Sequence, residues 1–253
     1  MKIGIAGIRG RMGQLLVEEA RKAGHEVVGG VDQLPGPASG VAVMSIAELA
    51  AAADTVIDFT HASTVVAHAQ ALAEAGSGWI LGTTGLSAAD EAAVLAAASR
   101  IAVVHAANFG PGITLLLALA RQLGASLAAE QYDAEIVEMH HRNKVDAPSG
   151  TALALGRAVA AGRGVRLEDV MASGRDGHTG ARATGEIGFA ALRGGQVVGE
   201  HTVLFAADGE QIALTHRATD RRVFATGAIR AAEWAASRPP RRYDMADVMG
   251  VAA

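Results

Sequence analysis

Met1-Lys2-Ile3-Gly4-Ile5-Ala6-Gly7-Ile8-Arg9-Gly10-Arg11-Met12-Gly13 opens the chain, and it reads as a strand that enters a glycine turn and leaves as a helix. Glycines permit a tight turn and close backbone approach, and the helix start behind them offers free N–H groups and positive partial charge. A pyrophosphate docks at such a place. The spacing G-x-x-G-x-x-G departs from the usual G-x-G-x-x-G, and a tight turn without a ligand would look the same. Asp32 adds the second half of the pattern. It ends the next apolar run, 19 residues after Gly13, where a carboxylate can accept both ribose hydroxyls of a dinucleotide. Uncharged Gln33 beside it favours NADH, because a carboxylate repels a 2′-phosphate. Arg9 and Arg11 offset part of that repulsion and leave NADPH open.

Outward from this turn, the first half alternates short apolar runs with alanine-rich helical stretches. Strands are expected at Lys2–Ala6, Glu26–Val31, Thr55–Phe59, Trp79–Leu81 and Ile101–Val104. Helices are expected at Met12–Ala23, Ser45–Ala52, Ser63–Ala75 and Ala88–Ser99. That rhythm indicates βαβ units and a Rossmann-like parallel sheet covered on both faces. Gln33–Gly40 is a turn-rich loop. After Gly110 the texture changes to a helix at Thr114–Leu127, an alternating run at Tyr132–His141, and a helix at Thr151–Ala161. A Gly/Arg/Asp-rich loop follows at Ala172–Thr184. Three strand-like runs, Gly185–Leu192, Gln196–Phe205 and Gln211–Ala218, then read as an antiparallel meander, before a last helix at Ala225–Ala236 and a short tail. The expected fold is α/β: a dinucleotide domain over residues 1–110, completed by 220–253, and an α+β domain with a mixed or antiparallel sheet over 111–219.

Composition narrows the function classes. The 253 residues suffice for a full core, since chains of this length bury roughly 75% of the surface they expose unfolded. The net charge of −4 and the lack of any long basic run argue against nucleic acid or an anionic membrane as partner. No cysteine is present, which removes disulfides, thiolate metal sites and cysteine nucleophiles. The start lacks the layout of a signal peptide and no apolar run reaches membrane-span length, so a soluble cytoplasmic protein is expected. The chain carries only three lysines, Lys2, Lys22 and Lys144, which makes each worth a question, since lysine can give up a proton and arginine cannot.

Lys144 falls in the most informative segment, Glu138-Met139-His140-His141-Arg142-Asn143-Lys144-Val145-Asp146-Ala147-Pro148-Ser149-Gly150-Thr151. Adjacent histidines at a strand end point to opposite faces, so one can meet the chemistry while the other meets substrate or core. For the same reason the pair cannot share a metal, and no metal site is expected. Ser149-Gly150-Thr151 opens a helix, and a helix start with two hydroxyls holds a carboxylate readily. Reduction of a C=C or C=N bond in a charged acid needs both parts: hydride reaches one carbon, and a positioned histidine delivers a proton to the other end. Lys144 can hold a carboxylate or donate a proton. Gly82-Thr83-Thr84-Gly85 and Ala106-Ala107-Asn108-Phe109-Gly110-Pro111-Gly112 follow strands four and five, on the edge of the sheet where ligands of open α/β sheets bind.

These segments, with Asp58-Phe59-Thr60, Gly185-Glu186-Ile187-Gly188-Phe189, Gly199-Glu200-His201-Thr202 and Tyr243-Asp244-Met245, resemble the dihydrodipicolinate reductases of bacterial lysine and diaminopimelate biosynthesis, over nearly the whole chain. The run E-x-H-H-x-x-K-x-D-A-P-S-G-T-A is the specific element. The resemblance implies His140 as proton donor/acceptor and Lys144 as a proton donor that also grips the substrate. It implies a small dicarboxylate substrate bound by His141, Lys144, Gly150 and Thr151, with Ser149 beside them. For the nicotinamide dinucleotide it implies Gly7, Ile8, Arg9, Gly10, Arg11, Met12, Asp32, Gly82, Thr83, Thr84, Ala106, Ala107, Asn108 and Phe109. It also implies a homotetramer built through the second domain. Many relatives carry a basic residue after the acidic one; here Gln33 stands there. Another two-domain reductase of a small amino or keto acid is the competing enzyme, and a nucleotide-sensing module without chemistry is the competing class.

Overall fold

The structure, a computed structural model, describes residues 1–34 and 36–251; Pro35, inside the expected Gln33–Gly40 loop, lies outside the described residues. Two compact units emerge, the first from Met1–Pro111 with Arg221–Gly250 and the second chiefly from Gly112–Asp220.

In the first unit, β1 (Lys2–Ala6), β2 (Glu26–Val31), β3 (Thr55–Asp58), β4 (Gly78–Leu81), β5 (Ala102–His105) and β11 (Arg241–Tyr243) form one sheet in the order β11-β5-β4-β3-β1-β2. All its pairings are parallel. Successive side chains on each strand enter different cores, as a parallel sheet buried on both faces requires. Ile3, Ile5, Ile57, Ile80 and Val104 pack with Leu16 and Val17 of α1 (Arg11–Lys22) and with Ala228 and Ile229 of α8 (Arg222–Ala235). Ala6, Val56, Trp79, Leu81 and Val103 face the other way, onto Leu49, Leu72 and Val94. Those three belong to α2 (Ile46–Ala52), α3 (Val65–Ala75) and α4 (Ala88–Ala98). The C-terminal segment thus supplies both a covering helix and an edge strand. Sequence reading expected that segment to return, but saw only a tail where β11 and α9 (Met245–Met249) form.

The second unit wraps α5 (Pro111–Ser126), α6 (Gly150–Gly162) and the short α7 (Leu167–Val170) around one face of a mixed sheet. Its strands are β6 (Asp133–His140), β7 (Met171–Ser173), β8 (Ile187–Arg193), β9 (Gly199–Ala206) and β10 (Gln211–Ala218), in the order β10-β9-β6-β8-β7. The expected meander is therefore wrong at its first step. β9 and β10 do pair antiparallel, but β8 never pairs with β9, because β6 lies between them, parallel to β8 and antiparallel to β9. Alternation identifies strands and says nothing of which strand is the neighbour. β7 sits at the start of the stretch read as a polar loop and pairs parallel with β8.

On β6 the face turned to α5 and α6 reads Ala134, Ile136, Glu138, His140. The first two are completely buried in the core with Phe189, Val203 and Phe205, each large side chain contributing about 1.5–3 kcal/mol. The last two carry the apolar face into polar chemistry at the strand end. Among the described residues no helix is long and apolar enough to cross a membrane.

Candidate active site

The two units hold separate clusters of the expected residues. In the first unit the glycine turn does what its spacing requires. Gly7 has φ +80°, a conformation that favours glycine. A Cβ on Gly13 would lie 2.2 Å from the Gly7 carbonyl oxygen and 2.6 Å from Ile8 Cα, so Gly13 lets α1 pack directly on the turn. The N-cap of α1, Gly10, provides no side-chain cap, and the first turn holds no acidic residue. By contrast α2, α4 and α9 close their own first turns with capping boxes from Ser45/Glu48, Ser87/Asp90 and Asp244/Asp247. The start of α1 has neither a side-chain cap nor an acidic residue in its first turn to offset its positive end.

A cavity of about 340 Å³ opens at this point, lined by Gly7, Gly10, Arg11, Met12, Gly13, Phe59–Ala62 and Gly82–Thr84. A second, of about 280 Å³, shares Arg11, Met12, Phe59 and Gly82 and continues along Ala107, Asn108, Phe109, Arg221 and Phe224. The two together offer the donor set for a dinucleotide: glycine backbone and hydroxyls in the first, the Arg11 guanidinium in both, and Arg221 beside aromatic walls in the second. Of the expected contacts, Ile8, Arg9, Asp32 and Ala106 line neither cavity. Ile8 is wholly buried, and Arg9 spends its guanidinium on the carbonyls of Leu34 and Gly36. The Asp32 carboxylate accepts the Arg9 backbone N–H at 3.0 Å, which ties the end of β2 to the turn. Sequence reading missed Arg221 and Phe224. They sit at the start of α8, far along the chain, and no local pattern announces them.

The loops around the first cavity are braced from below. Asp58, fully buried, accepts from His68 Nδ1 at 2.7 Å, from Trp79 Nε1 at 3.3 Å, and from the Thr60 N–H and hydroxyl at 3.0 and 2.6 Å. The Thr83 hydroxyl donates to the Thr60 carbonyl.

In the second unit the chemistry gathers at the ends of β6, β8 and β9 and the start of α6. Register places Glu138 opposite His201 on β9 and His140 opposite Arg193 on β8. Glu138 is 1% exposed, and its two oxygens collect four hydrogen bonds. Oε2 accepts from His140 Nδ1 at 2.6 Å and Arg193 Nη1 at 2.8 Å; Oε1 accepts from Arg193 Nη2 at 2.7 Å and the Ser149 N–H at 3.1 Å. Burial alone would raise the Glu138 carboxyl, but the Arg193 and His140 bonds outweigh it and hold the group below the ordinary carboxylate range. An ionised carboxylate only accepts, so Nδ1 of His140 carries the proton of their shared bond and Nε2 is left for exchange.

His140 itself is lowered, first by burial, then by the Lys144 and Arg193 charges, with Glu138 pulling the other way. His201 stands edge-on to it at 5.0 Å. Burial and the His140 charge push His201 down to about 4, so it is neutral near pH 7, and its Nε2 meets the Ser149 hydroxyl at 3.0 Å. That hydroxyl also caps α6 by accepting the Ala152 N–H. Gly199 lies beneath His140; a Cβ there would come within 3.1 Å of Nε2.

Lys144 Nζ pairs with Asp146 at 2.8 Å in the loop that joins β6 to α6. His141 follows directly after the last residue of β6, and its Nδ1 is buried without a partner among the described residues. Gly150 begins α6 with open space above it, and Thr151 follows in its first turn. His140, Ser149 and the start of α6 are thus joined through Glu138. The sequence alone assigns Glu138 and His201 no role. For Glu138 the signal existed, since residues two apart on a strand share a face; for Arg193 it did not.

The family model for the dihydrodipicolinate reductase N-terminus matches residues 1–109, and that for the C-terminus matches residues 112–249. A protein of Granulibacter bethesdensis named 4-hydroxy-tetrahydrodipicolinate reductase is 62% identical over 99% of this chain and 97% of its own. One of the same name from Gluconacetobacter diazotrophicus is 59% identical over 99% and 98%. Among solved structures, a dipicolinate-bound dihydrodipicolinate reductase from Paenisporosarcina sp. TG-14 shares the fold, with a TM-score of 0.76 at 24% identity over 96% of this chain and 97% of its own. On these matches, which run from the first residue to the last strand and helix, the chain belongs to the dihydrodipicolinate reductase family.

Proposed function

We propose that this protein reduces 4-hydroxy-tetrahydrodipicolinate to tetrahydrodipicolinate with a nicotinamide dinucleotide, the 4-hydroxyl leaving as water and a hydride and a proton adding across the C=C bond that results, in the pathway to diaminopimelate and lysine. One observation carries the reading: a histidine with a fixed proton-bearing nitrogen stands beside a lysine and the start of α6, the equipment for protonating a bound dicarboxylate. The first unit is the dinucleotide-binding domain, with the start of α1 and the loops at Gly82–Thr84 and Ala107–Phe109 as its contacts. When bound, the dinucleotide supplies hydride. The second unit binds substrate and carries the contacts of a homotetramer, and the enzyme works in the cytoplasm.

Within the second unit, His140 delivers a proton from Nε2 to the carbon next to the one reduced, a role worth roughly 10²–10⁴ in rate. Lys144 exchanges Asp146 for a substrate carboxylate and stabilises the charge that develops. His141, next in the chain, binds the substrate beside them. Gly150 and Thr151 present the start of α6 to the second carboxylate, and Ser149, bonded to Glu138, His201 and the Ala152 N–H, holds that start in place beside it. Asp32 at the end of β2 favours NADH, and Arg11, which lines both cavities, allows NADPH as well.

The test couples the protein to a synthase that condenses pyruvate with aspartate semialdehyde and follows oxidation of NADH and NADPH in parallel. Consumption of at least one, dependent on the synthase, supports the reading, with NADH the faster. Consumption of neither overturns it.

A further inference from the structure

We propose that Glu138 is a positioning residue for this chemistry: through its two oxygens it fixes which ring nitrogen of His140 exchanges a proton and locks that ring to the start of α6. The inference rests on the function proposed above. It stands on geometry. A fully buried carboxylate has all its acceptor sites filled by a histidine, an arginine and a backbone N–H from three separate segments, β6, β8 and the first residue before α6. A carboxylate kept only for stability would be an expensive choice, since buried ion pairs are often no better than apolar residues of the same volume. Arg193 also grips the Asp146 carbonyl at 2.7 Å and the Leu192 carbonyl, so Glu138 anchors the far end of the Lys144 loop as well. One side chain therefore sets the imidazole, the helix start and the loop that bears the lysine.

The charged and titratable groups that face His140 are Glu138 on its own strand, Lys144 in the following loop, Arg193 on β8 and His201 on β9, with His216 of β10 behind His201. Of these only Glu138 favours a charged imidazole. Its removal makes His140 harder to protonate, so activity that needs the protonated ring is lost at a lower pH.

The experiment is histidine-selective ¹⁵N NMR of the full-length protein, with His140 assigned by difference against His140→Ala, alongside pH–rate profiles. In the unsubstituted protein His140 is expected as the Nδ1–H tautomer when neutral. In Glu138→Gln it is expected to lose that tautomer preference and titrate at lower pH. kcat at neutral pH should fall roughly tenfold or more, with the alkaline limb of the profile displaced downward. Glu138→Asp should restore the direction of both effects in part. A Glu138→Gln protein that keeps the tautomer, the midpoint and the profile overturns the proposal. If that variant does not fold, the unsubstituted protein still decides: a neutral His140 found as the Nε2–H tautomer overturns it equally. Absence of turnover in the unsubstituted protein would sink the proposed function while leaving the tautomer measurement intact.

Discussion

Two helix starts carry the function proposed here, and they are built in opposite ways. The start of α1 is made of backbone: glycines remove side chains and no side chain caps it. The start of α6 is made of side chains: Ser149 caps it, and Glu138, His140, Arg193 and His201 arrive from three strands to surround it. A backbone cradle suits a cofactor whose pyrophosphate needs only N–H groups and partial positive charge. A side-chain cluster suits a step in which a proton must move, because only titratable groups can supply one. The first kind of site tolerates changes of charge and fails on added bulk. The second tolerates little change of charge at all.

That contrast can be broken or sharpened by substitution. His140→Ala should lower kcat by roughly 10²–10⁴ while leaving dinucleotide affinity unchanged in equilibrium titration; a parallel loss of affinity would mean that the two sites are not independent. Gly13→Ala adds only a methyl group, yet that group meets the Gly7 carbonyl oxygen and Ile8. It should cost about 1–3 kcal/mol in packing and weaken dinucleotide binding about tenfold or more, with the titration of His140 unmoved. Lys144→Arg keeps the charge and loses the transferable proton. It should depress kcat/KM by roughly one order of magnitude, on the scale of one charge-assisted hydrogen bond, whereas near-normal turnover would make the lysine purely electrostatic.

The cluster should also leave a mark on stability. His201 is held neutral in the folded protein down to about pH 4, whereas the unfolded chain binds a proton near the ordinary imidazole pKa of about 6.5. Between these values the unfolded state holds the extra proton, so stability is present above about pH 6.5 and is lost as pH falls toward 4. The loss amounts to something on the order of 3 kcal/mol at most. Denaturant titrations at pH 7 and pH 5 measure it, and His201→Asn should flatten the difference. An unchanged slope in that variant would place the acid sensitivity elsewhere.

The same contrast explains what could be read from the chain before its structure. The parallel sheet was legible because each βα turn is local, and the glycine turn with Asp32 lies within one such unit. His140, Lys144 and the Ser149 helix start were legible as a cluster because they are consecutive in sequence. Arg193 was not, because its meeting with Glu138 depends on β8 lying parallel to β6, a pairing that alternation cannot announce. The expectation of a meander put β8 beside β9 and so would have kept Arg193 away from Glu138. Arg221 and Phe224 were hidden for a related reason: they return to the first unit's sheet only after the whole second unit has intervened. Short elements such as β7 and β11 escaped because three residues are too few for a period to show.

The central claim is that hydride from the nicotinamide and a proton from the His140 cluster are delivered to one dicarboxylate substrate. The most direct measurement is mass spectrometry of the product made from dinucleotide dideuterated at C4 in H₂O, and again from unlabelled dinucleotide in D₂O. One deuterium from the dinucleotide in the first product and a solvent-derived deuterium on a neighbouring carbon in the second are predicted. A reduced product that carries no deuterium from the dinucleotide would contradict the account.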